Sequence, residues 1–102
     1  MEKLVRDNIP EIIKNKWEDC NYYIASEKKY IKSLLDKIVE EAKEVKESSC
    51  DAELKLELAD LFEVIETLLD KKDISFEEIR KIQLSKKNLK WGFDKKIILK
   101  LC

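Results

Sequence analysis

The stretch Ile38-Val-Glu-Glu-Ala-Lys-Glu-Val45, answered after a short polar link by Leu56-Glu-Leu-Ala-Asp60, decides the fold. On the first segment Leu34, Ile38, Glu41 and Val45 fall in one row at steps of four and three. That row runs within an apolar stripe of Ile31, Leu34, Leu35, Ile38, Ala42 and Val45. Such steps share one helix face. On the second segment the row is Leu54, Glu57, Leu61, Val64 and Leu68. Glu41 therefore borders a buried face, and Glu57 sits inside one. Glu44 follows Glu41 by three residues and Asp60 follows Glu57 by three. Each helix thus offers two carboxylates in one direction, and antiparallel packing brings four together. A buried, isolated carboxylate is costly and needs a metal, a proton or a partner. The chain has no His. Lys43, Lys46 and Lys55 point elsewhere on the helical wheel, so a divalent cation is the simplest partner.

Boundary signals extend the reading outward. Ser26 caps a long helix from Glu27 to about Glu47. Ser48-Ser49-Cys50 is a short link, and Asp51 or Ser49 caps a second long helix reaching about Lys72. A link this short makes the two helices antiparallel neighbours. Ser75 and Glu78 form a capping box that opens a last helix from Phe76 to about Lys90. Gly92, the only glycine, stands where a helix C′ residue is expected. Upstream, Asn8 caps a short helix from Pro10 to about Trp17. Residues 1–8 read as an extended entry, and Cys20 to Ala25 as extended or irregular. Downstream, Phe93 to Leu101 reads as a short strand or a docking tail. The expected fold is all-α. Two long antiparallel helices and a third form a helical bundle with short extended termini, one domain over residues 1–102, completed by oligomerisation.

Composition agrees with this. The 102 residues are 44% hydrophobic and 42% charged, with one Gly and one Pro, which favours amphipathic helices over sheets. A chain this short buries a modest core, and a homodimer or homotetramer is expected to complete it. A net charge of −1 argues against a nucleic-acid surface. No apolar run has the length of a membrane span, and the charged N-terminus lacks an apolar signal core. Cys20, Cys50 and Cys102 are odd in number and widely spaced. They fit neither a zinc site nor a disulfide framework, and reduced thiols point to the cytoplasm. Charge is unevenly spread: residues 36–70 hold twelve acids against four bases, and residues 80–100 hold eight bases against one acid. An acidic metal site beside a basic tail suits an anionic, metal-bound ligand. Two solvated faces that attract each other are the plainer alternative.

Hard oxygen ligands in this number suit Mg²⁺ or Mn²⁺, and Mg²⁺ commonly shares its shell with substrate phosphates. That points to phosphate ester or anhydride chemistry, with water held for in-line attack. Without His, the base is a carboxylate or a metal-bound hydroxide. Glu40 lies roughly 100° around the helix from Glu41. It supports the site from behind, reaches across an oligomer interface, or is plain surface.

The pattern Glu40-Glu41-x-x-Glu44 with Glu57-x-x-Asp60 resembles that of the MazG-like all-α nucleoside triphosphate pyrophosphohydrolases, a superfamily that includes the phosphoribosyl-ATP pyrophosphohydrolases. Lys3-Leu-Val-Arg-Asp-Asn-Ile-Pro10 is similar to the family's Lys-Leu-Val-Arg-Asp-Lys-Ile-Pro opening. Lys90-Trp-Gly-Phe93 resembles its basic-Gly-Gly-Phe ending. These matches span nearly the whole chain. The resemblance implies that Glu41, Glu44, Glu57 and Asp60 ligate Mg²⁺, with Mn²⁺ as a substitute. It implies Glu40 and Glu41 as the catalytic candidates, Glu40 in a supporting or base role. It also implies Lys3, Arg6, Lys87 and Lys90 as phosphate-binding candidates. The implied reaction is water attack at the α-phosphorus of a nucleoside triphosphate, giving a monophosphate and pyrophosphate, with clearance of abnormal nucleotides as a role. Asn8 and Trp91 depart from the family pattern, standing where Lys and the first Gly are common. Trp91 is expected to pack the tail, or else to stack on a base. Two alternatives remain: a non-catalytic helical oligomerisation or binding module, and a phosphoribosyl-ATP pyrophosphohydrolase, towards which the Leu-Val-Arg-Asp opening does not lean.

Overall fold

The computed structural model describes residues 2–100. Among them are four helices and no strand: α1 (Ile9–Asn15), α2 (Glu27–Glu47), α3 (Asp51–Lys71) and α4 (Phe76–Lys90). The bounds of α2 and α4 are those the sequence predicts. The Ser26 hydroxyl accepts the Lys29 N–H at 3.3 Å. At α4, the Glu78 N–H donates to Ser75 Oγ at 3.2 Å and the Ser75 N–H donates to Glu78 Oε2 at 2.7 Å, completing the capping box.

Other helix ends differ from expectation. Asn8 is the N-cap of α1, but its side chain makes no capping hydrogen bond. The helix then stops two residues short of Trp17, which takes a left-handed φ of 61°. Neither Asp51 nor Ser49 caps α3. Cys50 is the N-cap, and Ser49 Oγ instead donates to the Glu53 carboxylate at 2.5 Å. That bond draws Ser49 to a side chain rather than to the helix's free N–H groups. At the end of α4 the positive φ belongs to Trp91 (69°), not to Gly92. The tail forms no strand among the described residues, and Ile97, Ile98 and Leu99 stay exposed. Leu101 and Cys102 lie outside the described residues; Cys20 and Cys50 are free thiols.

The three-residue link turns the chain back, and α2 and α3 pack along each other; no other helix pair has comparable packing. Only one side of the α2 stripe is covered as a result. Leu34 is buried, Ile31, Ile38 and Val45 are half-buried, and Leu35 and Ala42 are exposed. Leu34 and Val64 are the only buried apolar residues among those described. The helix α4 buries none of its residues. The radius of gyration is 17.8 Å, against about 13 Å for a compact domain of this length.

Candidate active site

The acids of α2 and α3 meet where the two helices face each other. Glu41, Glu44 and Glu57 each offer a carboxylate oxygen, and these oxygens all lie within 4.8 Å of one another. Burial falls in that order differently from the sequence reading. Glu41 is only 6% exposed, whereas Glu57, inside its apolar row, is half-buried. Glu41 lies at the contact of the two helices, and no third helix packs over the pair to cover Glu57 further.

Glu41 is the most unusual group in the molecule. Its Oε2 is buried and has no hydrogen-bond partner. Burial raises its pKa above the ordinary carboxylate value, and the adjoining Glu44 carboxylate raises it further. Lys37 acts in the opposite sense, its ammonium 3.5 Å from Glu41 Oε1. Three hard oxygen donors, one of them buried and unpartnered, fit a divalent cation by number and by chemistry.

Asp60 does not join the trio. Arg6 Nη2 donates to its Oδ1 at 2.8 Å, a charge-assisted bond that holds the carboxylate at the rim. Glu40 is not one of the trio. It is held by Lys3 and Lys37, each 3.3 Å away. Burial tends to raise the Glu40 pKa, but the hydrogen bonds from Lys3 and Lys37 outweigh it and hold the carboxyl below its ordinary value. Lys3 and Arg6 thus bind α2 and α3 respectively, and the N-terminal segment crosses both helices beside the cluster. Tyr23 supports that segment by donating to Glu2 Oε1 at 2.7 Å.

Lys87 and Lys90 are not brought to the acids within the protomer. They form no ion pair with any of the five, because α4 does not fold back along α3. Lys90 instead lines a shallow depression with Trp91, Gly92, Asp94, Lys95 and Ile97. One residue of the site escaped the sequence reading. Lys37 stands three residues before Glu40 and four before Glu41, on the face that Lys43, Lys46 and Lys55 do not share. The i, i+3 and i, i+4 spacing was the available signal.

Among the described residues, no helix is long and apolar enough to cross a membrane. No curated protein and no solved structure matches the chain significantly. The family model for phosphoribosyl-ATP pyrophosphohydrolase matches residues 6–88, a span that holds α1 to α3, most of α4 and all five acids. An acidic cluster suited to a cation, on a chain matched over most of its length, leads to one conclusion: the protein belongs to the phosphoribosyl-ATP pyrophosphohydrolase family, in the MazG-like superfamily, and is a nucleotide pyrophosphohydrolase acting on phosphoric anhydride bonds.

Proposed function

We propose that the protein is a Mg²⁺-dependent pyrophosphohydrolase in which water attacks the α-phosphorus of a nucleoside triphosphate. The new O–P bond forms as the bond to the β-phosphate oxygen breaks. The products are a nucleoside monophosphate and pyrophosphate. The observation that carries this reading is Glu41, its Oε2 buried and unpartnered, converging with Glu44 and Glu57 on a chain of this family. Glu41, Glu44 and Glu57 would hold the cation, with Asp60 joining them on release from Arg6. Bound Mg²⁺, with Mn²⁺ as its substitute, supplies neutralisation of phosphate charge and Lewis-acid activation of water.

The remaining roles fall to the chain's own groups. Glu40, held ionised by Lys3 and Lys37, is available to accept the proton released by the attacking water. Lys3 and Arg6 are more than half exposed, and their unused N–H groups can turn to phosphate oxygens. We propose further that the active form is a homodimer or homotetramer. Leu35, Val39, Leu56 and Phe62 stay exposed on the α2–α3 pair, as do Ile82 and Leu89 on α4, and two buried apolar residues are a small core for an independent fold. A second copy would also give Lys87 and Lys90 a route to the phosphates. Free Cys20 and Cys50 fit a cytoplasmic setting.

The family match favours phosphoribosyl-ATP as one specific substrate. Clearance of non-standard nucleoside triphosphates is the other role that uses the same chemistry. The test is pyrophosphate release from a nucleotide panel that includes phosphoribosyl-ATP, with Mg²⁺ and then with EDTA. Metal-dependent pyrophosphate with an equal amount of monophosphate is expected, and the panel ranks the two roles. Orthophosphate release would overturn the α-phosphorus assignment.

A further inference from the structure

We infer that Lys37 is a positioning residue of the acidic centre, an ammonium that fixes the orientation of the Glu41 carboxylate and ties it to Glu40. The inference rests on the metal-site reading above. Three observations carry it. First, the Lys37 side chain is 16% exposed, against 45–72% for every other ion-paired basic side chain described. An ammonium withdrawn from water in this way needs a counter-charge, and Lys37 has two. Second, it bridges residues that diverge around the helix: its Nζ is 3.3 Å from Glu40 Oε2 and 3.5 Å from Glu41 Oε1. Third, the Glu41 oxygen it leaves alone is the buried one without a partner.

The geometry gives Lys37 more than a surface pair's role. In an isolated helix, Lys preceding Glu by four residues is the less favourable order, so helix stabilisation does not account for the arrangement. Holding Oε1 selects one orientation of the Glu41 carboxylate, with Oε2 buried and without a partner. The same ammonium pairs with the Glu40 carboxylate, so one lysine links the buried glutamate to its half-buried neighbour. A group that orients a ligand from behind commonly changes metal affinity or activity about 10–100-fold when removed.

The experiment compares the parent with Lys37→Met, which keeps much of the length without the charge, and Lys37→Arg, which keeps the charge. Mn²⁺ is titrated into each metal-free protein by calorimetry, and kcat and KM are measured separately with a nucleoside triphosphate. Lys37→Met is expected to bind Mn²⁺ about tenfold more weakly, with a reduced kcat and little change in KM. Lys37→Arg is expected to recover most of both. Unchanged or tighter Mn²⁺ binding in Lys37→Met would overturn the inference, since removal of a nearby positive charge alone strengthens cation binding. Equal loss in both variants, with far-UV circular dichroism also lost, would assign Lys37 a purely structural role and likewise overturn it. No Mn²⁺ binding by the parent would overturn the metal-site reading itself, and the inference with it.

Discussion

The α2–α3 pair and α4 start from similar local chemistry and end in opposite situations. Each of α2 and α4 begins at a serine whose hydroxyl accepts a backbone N–H, and α4 has the fuller cap. Yet α2 and α3 bury Leu34, Val64 and Glu41 between them, while α4 buries nothing. Caps decide where a helix begins. Whether it is covered depends on a neighbour, and a three-residue link provides one for α2 but not for α4. The acidic site follows the covered pair, because only there does a carboxylate lose its water without gaining a hydrogen bond.

The sharpest way to break this contrast is at the site. Glu57→Gln keeps the shape of the side chain but removes one of three converging charges. It is expected to abolish turnover while far-UV circular dichroism retains the helical signal; normal turnover would remove the cluster from the mechanism. Next in size is a matched pair of truncations. Leu34→Ala should cost about 2–5 kcal/mol in chemical denaturation, as core deletions do. Ile82→Ala, more than half exposed on α4, should fall within about 0.5 kcal/mol if α4 is free. A concentration-dependent cost at Ile82 approaching that at Leu34 would show that an assembly covers α4. Mg²⁺ at about 100 times its dissociation constant should raise the unfolding free energy by about 2.7 kcal/mol, read as a higher melting temperature that EDTA reverses.

A smaller effect concerns pH in the metal-free protein. The Glu41 pKa is raised on folding, so the native state binds more protons than the unfolded state in the window above the ordinary value of 4.5. Its contribution should therefore make stability fall as pH rises through that window, and Glu41→Gln should remove the slope. Glu40, with a lowered pKa, acts in the other direction: its stabilisation is present above the ordinary value and is lost as pH falls through the depressed one. Ser75→Ala should cost about 1 kcal/mol by thermal denaturation, a cost confined to a helix with no packed neighbour.

Much of this contrast was legible in the sequence. Residue periodicity and the Ser48–Cys50 link were enough for the paired helices, and the spacing of Glu41, Glu44 and Glu57 was enough for their convergence. The order of burial was not, because a stripe does not say which of its edges a single neighbour covers; Leu35 and Ala42 belong to the stripe and remain exposed. The diversion of Asp60 to Arg6 was also hidden, since it joins residues 54 positions apart. Lys37 lies one turn before Glu41, a position that apolar periodicity does not mark but i, i+4 charge spacing does. The separation of Lys87 and Lys90 from the acids reflects the course of the chain after Asp73, which local patterns do not specify.

The end of α4 carries a further consequence. Trp91 has φ 69° and ψ −169°, a region of backbone space open essentially to glycine alone, and it occupies the position where the resembled family commonly has its first Gly. Gly92, one residue later, has no positive φ, and a Cβ there would meet only Lys87 Cε at an ordinary 3.9 Å. The residue that carries the strained backbone at this helix end is thus the tryptophan and not the neighbouring glycine. Lys95 stacks its ammonium 4.5 Å from the centre of the Trp91 ring, a contact of about 0.5–1 kcal/mol at an exposed site that offsets part of the strain. Positions 91 and 95 are therefore expected to be coupled: removing Lys95 should cost less stability once Trp91 is glycine, a difference that a double-mutant cycle reads directly.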